Sequence, residues 1–192
     1  MSRVNLKFYL IHVALCWKGV FIFFYAGILN RIKKKRGINM INEIDITDPV
    51  IAKKVLEIQI LSYRVEAKII NFDDIPPLKD TVETLQQCGE TFFGYYLNGE
   101  LCGTIAIITK DNVIDIQRLV VHPAHFRKGM AKKLLKHVEQ QNKDCHMITV
   151  ATGTQNKPAV NFYMKNGFLK TTEEKITESV SLTYFKKELP RR

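Results

Sequence analysis

The stretch NVIDIQRLVVHPAHFRKGMAKKLLKHV, residues 112–138, decides the fold. Its apolar residues fall first on even positions, at Ile114 and Ile116, and then on odd positions, at Leu119 and Val121. Because a slip of one residue moves a strand's side chains to the opposite face, this change of parity predicts a β-bulge in a central strand. A bulge leaves backbone groups unpaired, and a ligand can bind them.

A basic loop and an amphipathic helix follow this strand, with Gly129 at their junction. The first N–H groups of a helix lack internal partners and lie at the positive end of its dipole. We expect Gly129 to allow a close approach of the backbone, and Lys133 to add charge around this end of the helix. The alternative is an ordinary strand–loop–helix corner with solvated lysines. The residues predicted to cradle a pyrophosphate are Arg127, Lys128, Gly129, Met130, Ala131 and Lys132.

A second motif, NKPAVNFYMKNGF, occupies residues 156–168. Pro158 suits the first turn of a helix, and Asn166-Gly167 suits a left-handed stop. Asn156 and Tyr163 are two helical turns apart, so this helix should present them on the same side.

In this order, the two motifs resemble the acetyl-CoA-binding core of the GNAT acetyltransferase superfamily, and the chain is similar to a small bacterial member. The family's first signature is Arg or Gln, two residues, Gly, one residue, and Gly or Ala. Gly129 and Ala131 match it, but its first position falls on Phe126, with Arg127 displaced by one. The second motif is similar to N-x-x-A-x-x-F-Y-x-x-x-G-F. The resemblance implies a mixed α/β fold with a mostly antiparallel sheet, a bulged fourth strand and helices on both faces.

The resemblance also implies an N-acetyltransferase in which an amine attacks the thioester of acetyl-CoA directly, with both substrates bound and no metal. Tyr163 would protonate the leaving thiolate, and Asn156 would hold the pantetheine region. Backbone groups of Leu119, Val120 and Val121 would bind the cofactor's amides and its thioester oxygen. For the base that deprotonates the amine, we favour Asp115 acting through water, and His122 and His125 beyond the bulge are the alternatives.

The acceptor is a small-molecule or peptide amine whose identity stays open, as do the acyl-chain preference and a homodimer. In the resembled fold the first helices line the acceptor groove, so five residues of these helices and of the loop between them are candidates for contacting a cationic acceptor, although a solvated acidic face is the alternative. These candidates are Tyr63, Glu66, Asp73, Asp74 and Glu83. Two other classes of function compete, a non-catalytic acyl-CoA-binding module of the same fold and a membrane-anchored interaction protein.

The net charge of +10 does not indicate a nucleic-acid binder. Eight of the 29 basic residues lie in residues 1–39, which hold no acid, so the remaining chain has 21 basic against 19 acidic residues. Four cysteines without C-x-x-C spacing predict reduced, intracellular thiols, and the five histidines have no metal-ligand spacing. The sequence contains neither the P-loop nor the dinucleotide-binding glycine motif.

Residues 1–39 form an apolar and basic N-terminal extension ahead of an N-acetyltransferase domain at 40–192. Residues 8–29 are long enough to span a bilayer, although Lys18 at the middle costs roughly 2.5–3.5 kcal/mol. Five cations within residues 31–36 would then place the domain in the cytosol as a single-pass membrane protein. The alternative, which we prefer, is a misassigned start, with translation beginning at Met40 and the protein cytoplasmic.

The periodicity from Met40 onward predicts further elements in chain order. They are a short strand at residues 44–46, a helix that Asp48-Pro49 caps, a loop over 71–77, a helix over 79–87, a hairpin of 91–97 and 101–109, a buried strand over 146–152, and a final hairpin of 168–172 and 179–187. The apolar positions of the first helix are Ile51, Val55, Ile58 and Leu61.

Overall fold

The computed structural model describes residues 39–190, which fold as one sheet with helices on both faces. The strands are β1 (Asn39–Ile44), β2 (Thr91–Leu97), β3 (Glu100–Lys110), β4 (Val113–Val121), β5 (Met147–Gly153), β6 (Leu169–Lys175) and β7 (Ser181–Glu188). The helices are α1 (Pro49–Ile70), α2 (Val82–Gln87), α3 (Met130–Gln141) and α4 (Lys157–Lys165), with 3₁₀ turns at Pro76–Leu78 and Pro123–His125. The strand order is β1-β2-β3-β4-β5-β7-β6, and only β4 and β5 are parallel neighbours. The predicted fold class is confirmed.

The predicted bulge lies in β4. Ala106 of β3 pairs with Arg118, whereas the next residue, Ile107, pairs with Ile116, so Gln117 is the extra residue. Beyond the bulge, the side chains of β4 have exchanged faces, as the change of parity in the sequence predicts.

Each face of the sheet carries its own core. Under α3 and α4, the buried cluster includes Ile114 and Ile116 from before the bulge and Val121 from after it. Under α1 and α2, a smaller cluster combines Ile44, Val55, Leu85, Phe92 and Ala106. Helices are therefore packed on both sides of β4.

Helix α1 is longer than its apolar pattern predicts. Asp48 caps its start by accepting hydrogen bonds from the Val50 and Ile51 N–H groups, and the left-handed Asn71 ends it after 22 residues. Leu61, the last apolar position of the predicted pattern, is 40% exposed, while the polar Gln59 is fully buried. A buried amide must find hydrogen-bond partners, so Gln59 indicates a polar network under this helix.

Strands β4 and β5 pair for only part of their length. Val113–Ile116 lies beside Met147–Val150, and β5 then continues to Gly153 paired only with β7. The strand β4 beyond Ile116 has no neighbour on this side among the described residues. The two strands therefore leave a slot between them that opens toward the start of α3.

Within residues 39–190, none of the helices combines the length and apolar character that a transmembrane span requires. The predicted span at 8–29 lies outside the described residues.

Candidate active site

The loop before α3 has an alternating backbone conformation. Arg127 and Gly129 both have positive φ, +61° and +79°, whereas Lys128 between them does not. Such alternation directs successive N–H groups into one concavity that suits an anion. A Cβ atom on Gly129 would meet nothing within 4 Å. Glycine is therefore needed here for its conformation and not, as expected from the sequence, for close packing of the backbone.

The N-terminus of α3 has no side-chain cap, since Gly129 occupies the cap position and the first turn contains no acid. The first hydrogen bond of the helix runs from the Lys133 N–H to the Gly129 carbonyl at 3.1 Å, so the N–H groups of Met130, Ala131 and Lys132 have no intrahelical partner. The Met130 side chain is buried, which leaves only its N–H for a ligand. These donors and the helix dipole favour a bound anion.

The lysines near this loop are not equivalent. Lys132 is exposed, whereas Lys128 Nζ donates to the Ala124 carbonyl at 2.9 Å. Lys133 Nζ lies 3.2 Å from the Tyr95 hydroxyl and 5.5 Å from the centre of its ring. Lys133 is thus in the first turn of α3, as expected, but its ammonium group contacts Tyr95 of β2.

Every second residue of β4 directs its backbone N–H and carbonyl groups into the slot between β4 and β5. The His122 N–H donates to the Cys102 carbonyl of β3 at 2.8 Å. Because successive strand residues turn their backbone groups to opposite sides, Val120 also faces β3, while Leu119 and Val121 face the slot. The N–H groups of Leu119 and Val121 are therefore open to a ligand there, and that of Val120 is not.

Helix α4 places Asn156 and Tyr163 at the border of the larger core. The Asn156 side chain caps the helix by accepting a hydrogen bond from the Ala159 N–H at 3.1 Å. The Tyr163 ring is buried, with ring centres at 5.3 Å from Phe168 and 5.9 Å from Phe185. Both residues are largely covered, as their shared side of the helix predicts.

The Tyr163 hydroxyl finds no hydrogen-bond partner among the described residues. The one side-chain oxygen fully enclosed without a partner in the described chain is Thr104 Oγ1, so the Tyr163 hydroxyl is not fully enclosed. Burial, together with the nearby Tyr63 and Glu66, raises the pKa of Tyr163 above its ordinary value. The phenol therefore stays protonated at neutral pH and can donate a proton.

Glu66 and Tyr63 lie three residues apart on α1 and so share a face of this helix. A Cβ atom built on Gly153 would lie 3.7 Å from Glu66 Oε1, so the carboxylate lies over the end of β5. Burial raises the pKa of Glu66, and the Asn156 side chain opposes this effect. Burial also raises the pKa of Tyr63, with Glu66 as the next contributor.

Arg118, immediately after the bulge, is the centre of a network that the sequence analysis missed. Its Nε and Nη2 donate to the two Glu90 carboxylate oxygens at 2.8 and 2.9 Å, and its Nη1 bonds Asp80. The buried Gln59 donates to Asp80 at 2.7 Å and to the Pro77 carbonyl at 2.9 Å. Burial lowers the pKa of Arg118, but the two carboxylates outweigh it and the pKa is raised overall.

The predicted base Asp115 is exposed and lies where β4 still pairs with β5. Its carboxylate accepts hydrogen bonds from Gln117 Nε2 at 2.6 Å and from Thr149 Oγ1 at 2.7 Å. Thr149 is four residues from Gly153, or about 13 Å along β5. Asp115 therefore lies well away from Glu66, and it is not among the charges that shift the pKa of Tyr163.

The five predicted acceptor contacts do not form one cluster. Asp73 and Glu83 are exposed, and Asp74 forms an exposed ion pair with Lys79 at 2.5 Å. Tyr63 and Glu66 alone are close enough to Tyr163 to raise its pKa.

Neither metal ligands nor disulfides feature in the described part of the chain. Residues 39–190 contain no group of three or more His, Cys, Asp or Glu side chains that could hold a metal ion. Cys88, Cys102 and Cys145 are free thiols.

Comparisons with known proteins agree with this geometry. A model of the acetyltransferase (GNAT) family matches residues 53–168. UPF0157 protein YqkA of Bacillus subtilis (strain 168) is 39% identical over 146 residues, which cover 76% of this chain but only 43% of that protein.

Solved structures share the fold at low sequence identity. The ribosomal-protein-S18-alanine N-acetyltransferase of Escherichia coli has a TM-score of 0.66 at 13% identity, over 81% of this chain and 96% of that one. The PaiA N-acetyltransferase of Thermoplasma acidophilum, in complex with coenzyme A, has a TM-score of 0.63 at 20% identity, over 79% and 99%. The yncA protein of Salmonella typhimurium, solved with its cofactor acetyl-CoA, has a TM-score of 0.57 at 20% identity, over 80% and 95%.

Proposed function

The chain belongs to the acetyltransferase (GNAT) family, and we propose that it transfers an acetyl group from acetyl-CoA to a primary amine by direct attack in a ternary complex. Membership confirms the family, and with it the acyltransferase class, predicted from the sequence. We assign the activity to residues 40–192 and, as predicted from the sequence, place it in the cytoplasm.

The observation that carries this proposal is the slot between β4 and β5, which runs toward the uncapped N-terminus of α3. A pyrophosphate fits the N–H groups of Met130, Ala131 and Lys132, with the exposed Arg127, Lys128 and Lys132 around it. An extended chain carrying amides, such as pantetheine, fits beside β4, where the backbone of Leu119 and Val121 can bind it like an added strand. The open space beside Gly129 leaves room for the phosphates.

Bound acetyl-CoA supplies the acetyl group as a thioester. A backbone N–H group of Leu119 or Val121 would stabilise the negative charge that grows on the carbonyl oxygen. The Tyr163 hydroxyl would donate its proton to the departing sulfur, since its raised pKa keeps it protonated and it is not fully enclosed. Asn156 would hold the pantetheine region of the cofactor near the start of α4, and Asp115 is the base that the sequence predicted.

The test uses the full 192-residue chain with acetyl-CoA and pools of primary amines, and it follows the release of free CoA thiol. Release that depends on one pool is the expected result, and it would begin to identify the acceptor. Binding of acetyl-CoA is measured in the same buffer by calorimetry. Tight binding with no release from any pool would favour a non-catalytic acyl-CoA-binding module, and no binding would refute the proposed site.

Tyr163→Phe tests the proposed acid, with Tyr184→Phe as the matched control because that tyrosine contacts Glu174 on the exposed β6–β7 hairpin. Removing a general acid lowers kcat by roughly 10²–10⁴-fold. We therefore expect Tyr163→Phe to bind acetyl-CoA normally and to lose turnover, while Tyr184→Phe keeps both. Equal rates for the two variants would exclude Tyr163 as the proton donor.

A further inference from the structure

Glu66 is the carboxylate best placed to meet an amine. Asp80 and Glu90 both form ion pairs with Arg118, and Asp74 is paired with Lys79. No Lys, Arg or His of the described residues forms an ion pair with Glu66. A partly buried carboxylate without a cation is costly, and it gains most when a ligand brings the positive charge.

Its position connects this carboxylate with the proposed site. Glu66 lies over Gly153 at the end of β5, where this strand has left β4, and beside Asn156 at the start of α4. Tyr163, on the same helix α4, experiences the charge of Glu66. An amine bound at Glu66 would therefore lie on the α1 side of the slot, close to the group proposed to protonate the sulfur.

We propose that Glu66 binds the ammonium group of the acceptor and removes its proton before the amine attacks. This inference rests on the proposed function. The new C–N bond forms as the C–S bond breaks, and the ammonium nitrogen gives up two protons in all. One of them goes to Glu66 and from there to solvent. The other replaces, on Tyr163, the proton that its hydroxyl has given to the sulfur, so both side chains return to their starting forms.

The expected pH dependence follows from the charges around Glu66. A base must be deprotonated to act, so kcat/KM should fall as the pH is lowered through the pKa of Glu66. Because burial raises this pKa, the fall should begin at a higher pH than for an ordinary glutamate. The phenols of Tyr63 and Tyr163 are uncharged at neutral pH, and Arg118 offsets part of the negative charge of Asp80 and Glu90. The titratable or charged groups on this side are Tyr63 of α1, Tyr163 of α4, Arg118 of β4, Glu90 at the start of β2 and Asp80 of the loop before α2.

The test compares Glu66→Gln and Glu66→Asp in the full chain with Glu57→Gln, an exposed carboxylate on the same helix. The probes are n-butylamine, spermidine and L-alaninamide. Calorimetry measures their binding to the protein saturated with CoA, which permits no turnover, and thiol release measures kcat and KM against pH with acetyl-CoA. Calorimetry also checks that acetyl-CoA binds to each variant as it does to the wild type.

Removing a charged hydrogen-bond partner costs roughly 1.5–3 kcal/mol, so Glu66→Gln should weaken binding of the best probe by about 10- to 150-fold, and its kcat should fall roughly 10²-fold or more. The acid limb of the pH profile should disappear in Glu66→Gln, persist in Glu66→Asp and be unchanged in Glu57→Gln. Amine binding and a pH profile in Glu66→Gln that equal those of Glu57→Gln would overturn the inference, as would loss of the acid limb in Asp115→Asn instead. Binding that depends on Glu66 without thiol release from the wild type would support the ammonium site at Glu66 and refute both its role as a base and the proposed function.

Discussion

Replacing Arg118 with methionine should destabilise the protein strongly, because it leaves two buried carboxylates without their cation. The side chains of Arg118, Glu90 and Asp80 are only 12%, 7% and 18% exposed. Breaking a buried pair by removing one partner costs about 3–5 kcal/mol, and the partial exposure of Asp80 places this case near 3 kcal/mol. That is a large share of the 5–15 kcal/mol that is typical for the free energy of unfolding of a domain.

Urea denaturation of the full chain measures this loss. With a slope of about 2 kcal/mol per molar urea, a loss of about 3 kcal/mol lowers the midpoint by roughly 1.5 M. Lys175→Met is the control, since its ion pair with Glu178 is largely exposed and should contribute too little to shift the midpoint. In the double variant Arg118→Met/Glu90→Gln, one of the stranded charges is removed, so it should be no less stable than Arg118→Met alone. A midpoint for Arg118→Met equal to that of Lys175→Met, or a further loss in the double variant, would refute this account of the network.

Three other predictions concern the site itself. Gly129→Ala places a Cβ at φ +79°, which costs roughly 1–2 kcal/mol, so calorimetry should show about tenfold weaker binding of acetyl-CoA, partly recovered in Gly129→Asn. Lys132→Gln should weaken the binding of acetyl-CoA more at low ionic strength than at high ionic strength. Lys136→Gln, at an exposed position further along α3, should not weaken it, and equal effects of the two variants would argue against a phosphate beside Lys132. Glu66→Gln should raise the melting temperature at pH 8, because burial raises the pKa of Glu66 in the folded state and its charge is therefore destabilising above that pKa. The gain should vanish below the pKa of an unfolded glutamate, where Glu66 is protonated in both states.

The sequence predicted the central strand and its bulge because both depend on local alternation. Ile114 and Ile116 face the same core as Val121, and only one extra residue between them makes this compatible with a continuous strand. The boundaries of two helices were also predictable, since Gly129 before α3 and Gly167 after α4 both have the positive φ that glycine tolerates. Such features need no knowledge of which distant segments meet.

The Arg118 network could not be predicted in this way, because its partners are distant in the sequence. Glu90, Asp80 and Gln59 precede Arg118 by 28, 38 and 59 residues. The one local indication of this network in the sequence is Gln59, a polar residue four positions after Val55 on the apolar face of α1. A glutamine in such a stripe indicates a buried polar partner, but the sequence does not say which one.

The acidic residues of this region illustrate why sequence alone could not select among candidates. Glu66, Asp74 and Glu83 look alike in a sequence, and a solvated face explains any one of them. The fold separates them by their surroundings, since Asp74 pairs with Lys79 and Glu83 is exposed, whereas Glu66 is partly buried without a cation. A protein retains a destabilising charge of this kind when another function depends on it. For this reason the stability gain of Glu66→Gln and its loss of amine binding should appear together. Either one without the other would show that the destabilising charge of Glu66 is not retained for amine binding.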